Sequence, residues 1–347
     1  MNNTLKGVAI AAAAMIGLGI IFTGIGFMTG GNQAVYLDQD GFHTGKSKSG
    51  GNLESFMQNT ESFRSIDVDL DYYDVDLIEG DKFYVEGKFF SKEGKPDIKV
   101  ENGVLTARSK NLGGIKINID MPGLITDSNK PVLKIYYPKG TEFKDIAIKC
   151  DMSDLSYEDL KADTILFSLD SGKLDAEGIR AKDIMISMDS GNCTIRDAAA
   201  ENKLDVANDM GKITLEGIKA KTLKATANSG DITLTDVKAD NAELNLDMGK
   251  LSGKGLDTKG ITAAADSGDI NLQGTLTGVT DITCDMGSVT VSPGGSKEQF
   301  NYELNADMGS VSVSGVKASG SVSAISGDAK NTLKISADMG SINVNFD

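Results

Sequence analysis

Residues 204–215 read LDVANDMGKITL, and the fold of this chain follows from the way the centre of that stretch recurs. The recurring unit is Asp or Asn, then Ser or Met, then Gly, and we call it the corner motif. Its first and third residues are Asp170 and Gly172, Asp189 and Gly191, Asp209 and Gly211, Asn228 and Gly230, Asp247 and Gly249, Asp266 and Gly268, Asp285 and Gly287, Asp307 and Gly309, and Asp338 and Gly340. From Gly172 to Gly287 the glycines step by 19, 20, 19, 19, 19 and 19 residues. A period this regular predicts a solenoid in which each repeat forms one coil.

Apolar residues alternate with polar ones on both sides of the corner motif. With its first residue counted as position zero, they fall at −5, −3 and −1 and at +4, +6, +9 and +11, as at Leu204, Val206, Ile213, Leu215 and Ile218. Period two on both sides indicates two short strands that face one interior. A coil of this length cannot bury its own inner face, so it must stack on its neighbours. The predicted fold class is all-β: a parallel β-solenoid, right-handed by the crossover rule, of coils of about 19 residues.

Three further positions predict how the corners of neighbouring coils meet. The glycine supplies a positive φ, and the residue at zero accepts bonds from backbone amides that the corner leaves unpaired. Charges at +3 alternate in sign, which predicts a row that fixes the register between coils. Large and small residues alternate at +1, which predicts packing between corners, and the serines there interrupt any thioether row for copper. The residues at +3 are Asp154, Lys173, Asn192, Lys212, Asp231, Lys250 and Asp269; those at +1 are Met152, Ser171, Ser190, Met210, Ser229, Met248, Ser267 and Met286.

The N-terminal segment has a different composition from the repeats. The 21 residues from Val8 to Met28 carry no charge, and that length suffices for a helix to cross a bilayer core of about 30 Å. We therefore expect one transmembrane helix ahead of the solenoid. Lys6 lies directly before the span, whereas the first basic residue after it, Lys46, is far from it. Because basic residues near a span tend to stay on the cytoplasmic side, this favours a C-terminal part outside the cytoplasm and localisation at the cell membrane. A cleaved signal peptide, and hence a secreted protein, is the alternative.

Changes in composition and period divide the chain into five expected segments. These are a cytoplasmic N-terminus at 1–6, the transmembrane helix at 7–29, a juxtamembrane segment and linker at 30–59, irregular capping coils at 60–145, and the solenoid repeats at 146–347. After Gly287 the motif spacing opens to 22 and then 31 residues, and we expect the insertions at 293–299 and 316–331 to fold back over the terminal coils. The last strand, at 341–346, has no successor. Its open edge is therefore predicted to be a place where another chain adds.

Composition argues against chemistry and against nucleic acid as a partner. The net charge of −15 repels phosphate backbones. The chain has one histidine, His43, and no tryptophan, so we expect no catalytic site and no cofactor. Cys150, Cys193 and Cys284 form an odd set without short spacing, and we expect them to be small buried core residues.

One group of aspartates is a candidate for a cation. If the zero positions align, Asp247, Asp266 and Asp285 form a column with a spacing of about 4.8 Å, and Ca²⁺ would offset their repulsion. Calcium prefers six to eight oxygen ligands from a shaped loop, and Asn228 interrupts the column. We therefore expect these residues to cap turns in solvent and to hold no metal.

The serial DSG and DMG motifs, Ile66 to Leu77 and the segment LKIYYPKGT from Leu133 resemble one known group of proteins. This is the bacterial putative adhesin family of β-strand repeats, a domain of unknown function common in membrane-anchored proteins of Gram-positive bacteria. The resemblance covers about residues 60–347, and the N-terminal span followed by YLDQDGFH from Tyr36 is similar to anchored members.

The resemblance has implications for function. The family has no catalytic residues to transfer, so it implies a non-enzymatic cell-surface protein for adhesion or envelope interaction. The implied partner is a protein or a ligand of the cell envelope or host surface. The alternative is a regulatory or sensor module in envelope stress signalling that acts on a membrane partner.

Overall fold

The computed structural model describes residues 34–38, 41–45, 52–109, 130–325 and 327–347. The chain forms two compact units, one of Met1–Glu54, Phe90–Gly94 and Asn111–Asn129 and the other of Ser55–Phe89, Lys95–Lys110 and Lys130–Asp347. In the first, β1 (Ala34–Asp38) and β2 (Gly41–Gly45) form an antiparallel two-stranded sheet. The later strands are β3 (Leu53–Asn59), β4 (Ser65–Leu70), β5 (Asp74–Gly80), β6 (Tyr84–Phe90), β7 (Asp97–Glu101), β8 (Val104–Arg108), β9 (Val132–Pro138), β10 (Phe143–Glu158), β11 (Ala162–Glu177), β12 (Arg180–Arg196), β13 (Ala199–Met210), β14 (Ile213–Glu216), β15 (Lys219–Ser229), β16 (Ile232–Thr235), β17 (Lys238–Met286), β18 (Val289–Ser292), β19 (Phe300–Val313), β20 (Val316–Ala324), β21 (Asn331–Met339) and β22 (Ile342–Val344).

From β10 to β18 the chain winds through successive parallel coils. Ile146 pairs with Ile165, and Ile165 with Ile184, so partners lie one period of 19 residues apart. The alternating apolar residues point inward, and Leu204 and Ile213, on either side of a corner, are fully buried. Burial of each such side chain contributes about 1.5–3 kcal/mol to folding. The predicted parallel stack of 19-residue coils is confirmed.

The stack begins with strands of mixed direction. β4 pairs in parallel with β10, and β8 pairs in parallel with β4. In the neighbouring sheet β5 pairs in parallel with β9. β7 then pairs antiparallel with β8, and β6 pairs antiparallel with β9. These antiparallel strands end the run of parallel coils on this side.

The other end of the stack does not follow the order of the chain. β21 pairs in parallel with β17 on one side and β19 on the other, and β22 likewise lies between β18 and β19. The C-terminal segment 331–344 therefore fills a layer between two coils that precede it in the sequence. Beyond it, β20 folds back antiparallel onto β19. The prediction of an open edge at 341–346 is wrong, because β19 docks one layer away from β18 and the last segment enters the gap.

The predicted combination of a solenoid with a transmembrane helix is also corrected. Over the described ranges the regular structure is β-strand apart from one three-residue 3-10 helix, Lys297–Gln299. Within those ranges there is no helix with the length and apolar character needed to cross a membrane. The fold class is therefore all-β without that helix, and residues 7–29, on which it was predicted, lie outside the described residues.

A second corner, eight residues after position zero, gives the stack a longer period. Its residues adopt positive φ and alternate between Asp and Gly in successive coils: Asp159, Gly178, Asp197, Gly217, Asp236 and Gly255. A Cβ on Gly178 would lie 2.3 Å from Oδ1 of Asp159, so each aspartate side chain occupies the space above the next glycine. From Asp159 to Gly255, two coils together therefore form the structural repeat at this corner, and the next coil, with Gly274, departs from it.

Candidate functional site

The glycines of the corner motif form a column along which neighbouring backbones touch. A Cβ on Gly230 would lie 1.7 Å from the carbonyl oxygen of Gly211, and one on Gly249 would lie 2.0 Å from that of Gly230. The same contact joins Gly340 to Gly287 and Gly309 to Gly340, each at 1.7 Å. The motif therefore requires glycine for space between coils as well as for its positive φ.

The residues at position zero lie exposed beside this column. Asp247, Asp266 and Asp285 are all exposed, and they follow Asn228, whose Nδ2 donates to Oδ1 of Asp209 at 3.0 Å. Within the part of the chain that the structure describes, no three His, Cys, Asp or Glu residues are grouped so that they could hold a metal ion. That Asp247, Asp266 and Asp285 hold no cation such as Ca²⁺ stays a prediction, and we expect EDTA to leave the thermal midpoint of the protein unchanged.

Like charges repel one another at Asp151, which lies at position zero one coil before Asp170. Burial, and next the neighbouring carboxylates of Asp170 and Asp71, raise the pKa of Asp151 above its ordinary value. A carboxyl whose pKa is raised by folding destabilises the folded state wherever it is ionised.

We therefore expect Asp151→Asn to raise the thermal midpoint at neutral pH. The gain should disappear as the pH falls from the raised folded-state pKa to the ordinary value, because the wild-type carboxyl then becomes neutral too. Thermal unfolding followed by circular dichroism from pH 7 to pH 3 measures this. Asp328→Asn, in an exposed turn outside the column, is the control, and an equal gain in both variants would contradict the explanation.

The row at +3 fixes the register by a different contact from the one predicted. Oδ1 of Asp154 accepts the backbone N–H of Lys173 at 2.9 Å, and Asp231 accepts that of Lys250 at the same distance. Asp269 does so for Ser288. These carboxylates thus bond to the amides at the corner, a role that the sequence assigned to position zero. The lysines at +3 therefore contribute their backbone, whereas the sequence suggested their charge.

A row of side chains whose charge alternates in sign from coil to coil does form ion pairs, but it lies at position +12. Lys182 Nζ lies 2.8 Å from Oδ1 of Asp163, and Lys259 Nζ lies 2.6 Å from Oδ1 of Asp240. The hydrogen bond from Lys259 lowers the pKa of Asp240. The whole row reads Asp163, Lys182, Glu201, Lys221, Asp240 and Lys259. Its regular change of sign was available in the sequence and could have identified it.

The methionines at +1 point into solvent. The prediction that they pack between coils is therefore wrong. The exposed fractions are 50% for Met152, 58% for Met210, 57% for Met248, 48% for Met286, 44% for Met339 and 66% for Met308. Met339 is the register partner of both Met286 and Met308. At this end of the stack, therefore, three exposed methionines follow one another without an intervening serine.

The outward face of the second strands carries a column of uncharged polar residues, which we call the polar face. Thr194 pairs with Thr214, Thr214 with Thr233, and Thr233 with Ser252. Further along, Asn271 pairs with Thr290, and Thr290 with Asn343. All of these side chains are exposed or half-buried. Over the earlier coils this column lies between charged ones, as Lys212 and Glu216 lie exposed on either side of Thr214. Around Thr290 the flanking residues Ser288 and Ser292 are uncharged too, so at this end of the stack the whole face is neutral.

The three cysteine thiols are buried. Cys150, Cys193 and Cys284 are buried in the core, as predicted, and none is in a disulfide. Burial raises the pKa of Cys150 and of Cys193 to about 12, so both thiols stay protonated at neutral pH. A protonated, buried thiol is neither a nucleophile nor a metal ligand. His43 lies in β2, and its side chain is outside the described residues.

A stack of parallel coils with exposed, regularly spaced columns defines a β-repeat protein of the solenoid class. The family model of the Toastrack DUF4097 domain matches residues 63–209 and again residues 180–345. The chain belongs to the Toastrack DUF4097 family, a domain of unknown function, which confirms the family resemblance of the repeats. The anchored, Gram-positive character that the resemblance suggested is not tested by this match.

The chain also matches solved structures at low identity and low TM-score. A putative lipid binding protein from Parabacteroides distasonis is 16% identical with a TM-score of 0.46, and the match covers 85% of this chain and 97% of that one. A putative adhesin from Bacteroides fragilis is 12% identical, with 85% and 97% covered and a TM-score of 0.32. A putative cell adhesion protein from Clostridium sporogenes is 12% identical, with 85% and 99% covered and a TM-score of 0.24. Curated proteins yield no match.

Proposed function

We propose that this protein is a non-enzymatic cell-surface adhesion protein that binds its ligand by contact along the polar face. The observation that supports the proposal is the register of that face: Thr233, Ser252, Asn271, Thr290 and Asn343 all project from one side of successive coils. Neighbouring rungs of such a ladder lie about 4.8 Å apart, so hydroxyl and amide groups recur at a fixed interval. A ligand with its own repeating hydrogen-bonding groups can meet many of them at once.

The charge distribution selects the chemical class of that ligand. The opposite outward face, on the first strands, carries Asp205, Lys224, Glu243, Asp281 and Lys334. Around Thr290 the polar face and the residues beside it offer donors and acceptors without formal charge, and the net negative charge of the chain disfavours anionic polymers. The ligand class is therefore a neutral, hydroxyl-rich glycan of a cell envelope or host surface.

Two threonines of the same coil provide a matched test. Thr290 lies on the polar face, and Thr283 is exposed on the opposite face. Binding of the full chain to immobilised neutral and acidic glycans is measured for the wild type and for Thr290→Lys and Thr283→Lys. We expect neutral glycans to be bound, with affinity at least about tenfold weaker in Thr290→Lys, because a lysine there must be desolvated without a partner. Thr283→Lys should bind like the wild type.

Two outcomes would reject the proposal. One is equal binding by both variants, which would place the contact elsewhere. The other is capture of a membrane protein from envelope extracts with no glycan bound, which would favour the regulatory or sensor alternative.

A further inference from the structure

The insertion of the C-terminal segment creates a cluster of soft metal ligands that the order of the sequence conceals. Along the chain, the motif methionines Met210, Met248 and Met286 are separated by Ser229 and Ser267. In the folded stack, Met339 lies between Met286 and Met308 as the register partner of each. We propose that Met286, Met339 and Met308 form a thioether site for a soft monovalent cation of the Cu(I) class.

The spacing of the three side chains suits one shared ion. Adjacent rungs of a parallel ladder lie about 4.8 Å apart, so the outer two methionines are about 9.6 Å apart at the backbone. A methionine side chain is unbranched with three rotatable bonds, so Met286 and Met308 can lean toward Met339. Thioether sulfur is a soft ligand that selects Cu(I) over hard cations such as Ca²⁺ or Mg²⁺. Three sulfurs in a row thus provide a low-coordinate soft site.

The site is open to solvent. The three methionines are 48%, 44% and 66% exposed, in the order Met286, Met339 and Met308. β20 lies along the outer edge of β19 and pairs with Tyr302–Asn305 and with Ser310–Val313. It forms no ladder pairs with the residues between these two stretches. Met308 lies in that uncovered interval. A cation can therefore reach all three sulfurs without any opening of the fold.

The surrounding charge favours a cation. Each methionine of the cluster directly follows an exposed aspartate, namely Asp285, Asp338 and Asp307. Their combined field raises the local concentration of monovalent cations near the sulfurs. The carboxylates are not required as ligands, and their role here is electrostatic.

Packing does not explain why methionine occupies these positions. Serine occupies the same +1 position in four other coils, at Ser171, Ser190, Ser229 and Ser267, with the same glycine contacts beside it. The fold therefore accepts a small polar residue at this corner. The backbone of the corner therefore does not require methionine at these three adjacent positions.

The test uses the full chain labelled with [methyl-13C]methionine and titrated with Ag(I), a soft probe without redox chemistry. The ε-methyl resonances are assigned from single Met→Ser variants. We expect the signals of Met286, Met339 and Met308 to shift together and to saturate near one equivalent. The signals of Met210 and Met248, each flanked by serines in the neighbouring coils, should shift only at higher metal concentrations. A titration with Cu(I) under anaerobic, reducing conditions should give the same order.

Two variants distinguish the cluster from an isolated methionine. Met339→Ser removes the central ligand, and we expect the half-maximal metal concentration for the Met286 shift to rise at least about tenfold. Met210→Ser makes the same change at an isolated site and should leave that concentration unchanged. A Met286 response that survives Met339→Ser, or parallel titration of all exposed methionines, would overturn the proposal.

A third variant removes the thiol that lies closest in sequence. Cys284 is buried two residues before Met286, and its register partner is Ala337, so Cys284→Ala introduces the side chain that the neighbouring coil already carries. We expect the methionine shifts to persist in this variant. Their loss would mean that the thiol holds the metal, and it would overturn the thioether site.

Discussion

Gly230→Ala should destabilise the protein by about 3 kcal/mol or more, or prevent the stack from forming, because an alanine there has no room. Its Cβ would lie 1.7 Å from the carbonyl oxygen of Gly211, a backbone atom that cannot move without breaking the ladder of the adjacent coil. Its φ of 154° adds a conformation that only glycine adopts readily. Chemical denaturation followed by circular dichroism measures the loss.

Gly140→Ala separates crowding from backbone conformation. Gly140 also has a positive φ, 78°, but a Cβ there would have nothing within 4 Å. The cost should therefore be only the left-handed backbone term of about 1–2 kcal/mol. If the two variants lost the same stability, contact between coils could not be the reason for the glycine column.

Removal of residues 331–347 should unfold the end of the stack while leaving the earlier coils intact. Leu333, Ile335, Ile342 and Val344 are all buried, and each contributes about 1.5–3 kcal/mol of apolar burial. Without them β17 and β19 lose the strand that joins them, so β19 and β20 have no layer on which to dock. Hydrogen exchange should become fast across 279–324 and stay slow in the coils before Asp266.

A shorter truncation and a peptide provide the controls. Deletion of Phe346 and Asp347 removes ring contacts to Phe300 and Tyr302 and a bond to Gly295, but it leaves the inserted strands in place. Exchange across 279–324 should then change little. A synthetic peptide of residues 331–347, added to the long truncation, should restore protection by strand addition. Slow exchange across 300–313 in the long truncation alone would contradict the observed order of layers.

The fold within each coil was accessible from the sequence because the forces that set it are local or repeat with a fixed period. Alternation at Leu204, Val206, Ile213 and Leu215 defines the inner face, since burying apolar side chains determines which way each strand points. The fixed step between glycines predicts which residues become partners, since unequal coils could not stay in register. The contacts at +3 and +1 were misjudged because charge and size patterns do not show whether a side chain turns along the column or into solvent.

The 19-residue coil, its inward residues and its glycine corners were determined by the sequence alone, because each follows from periodicity and backbone sterics. The order of the last layers was decided only by the tertiary structure. Corner motifs at Met286, Met308 and Met339 are locally alike, and ladder hydrogen bonds join backbone groups whatever the side chains. Which coil enters which gap thus depends on the lengths of the insertions and on how β19 and β20 dock, and that choice also brings the three methionines together.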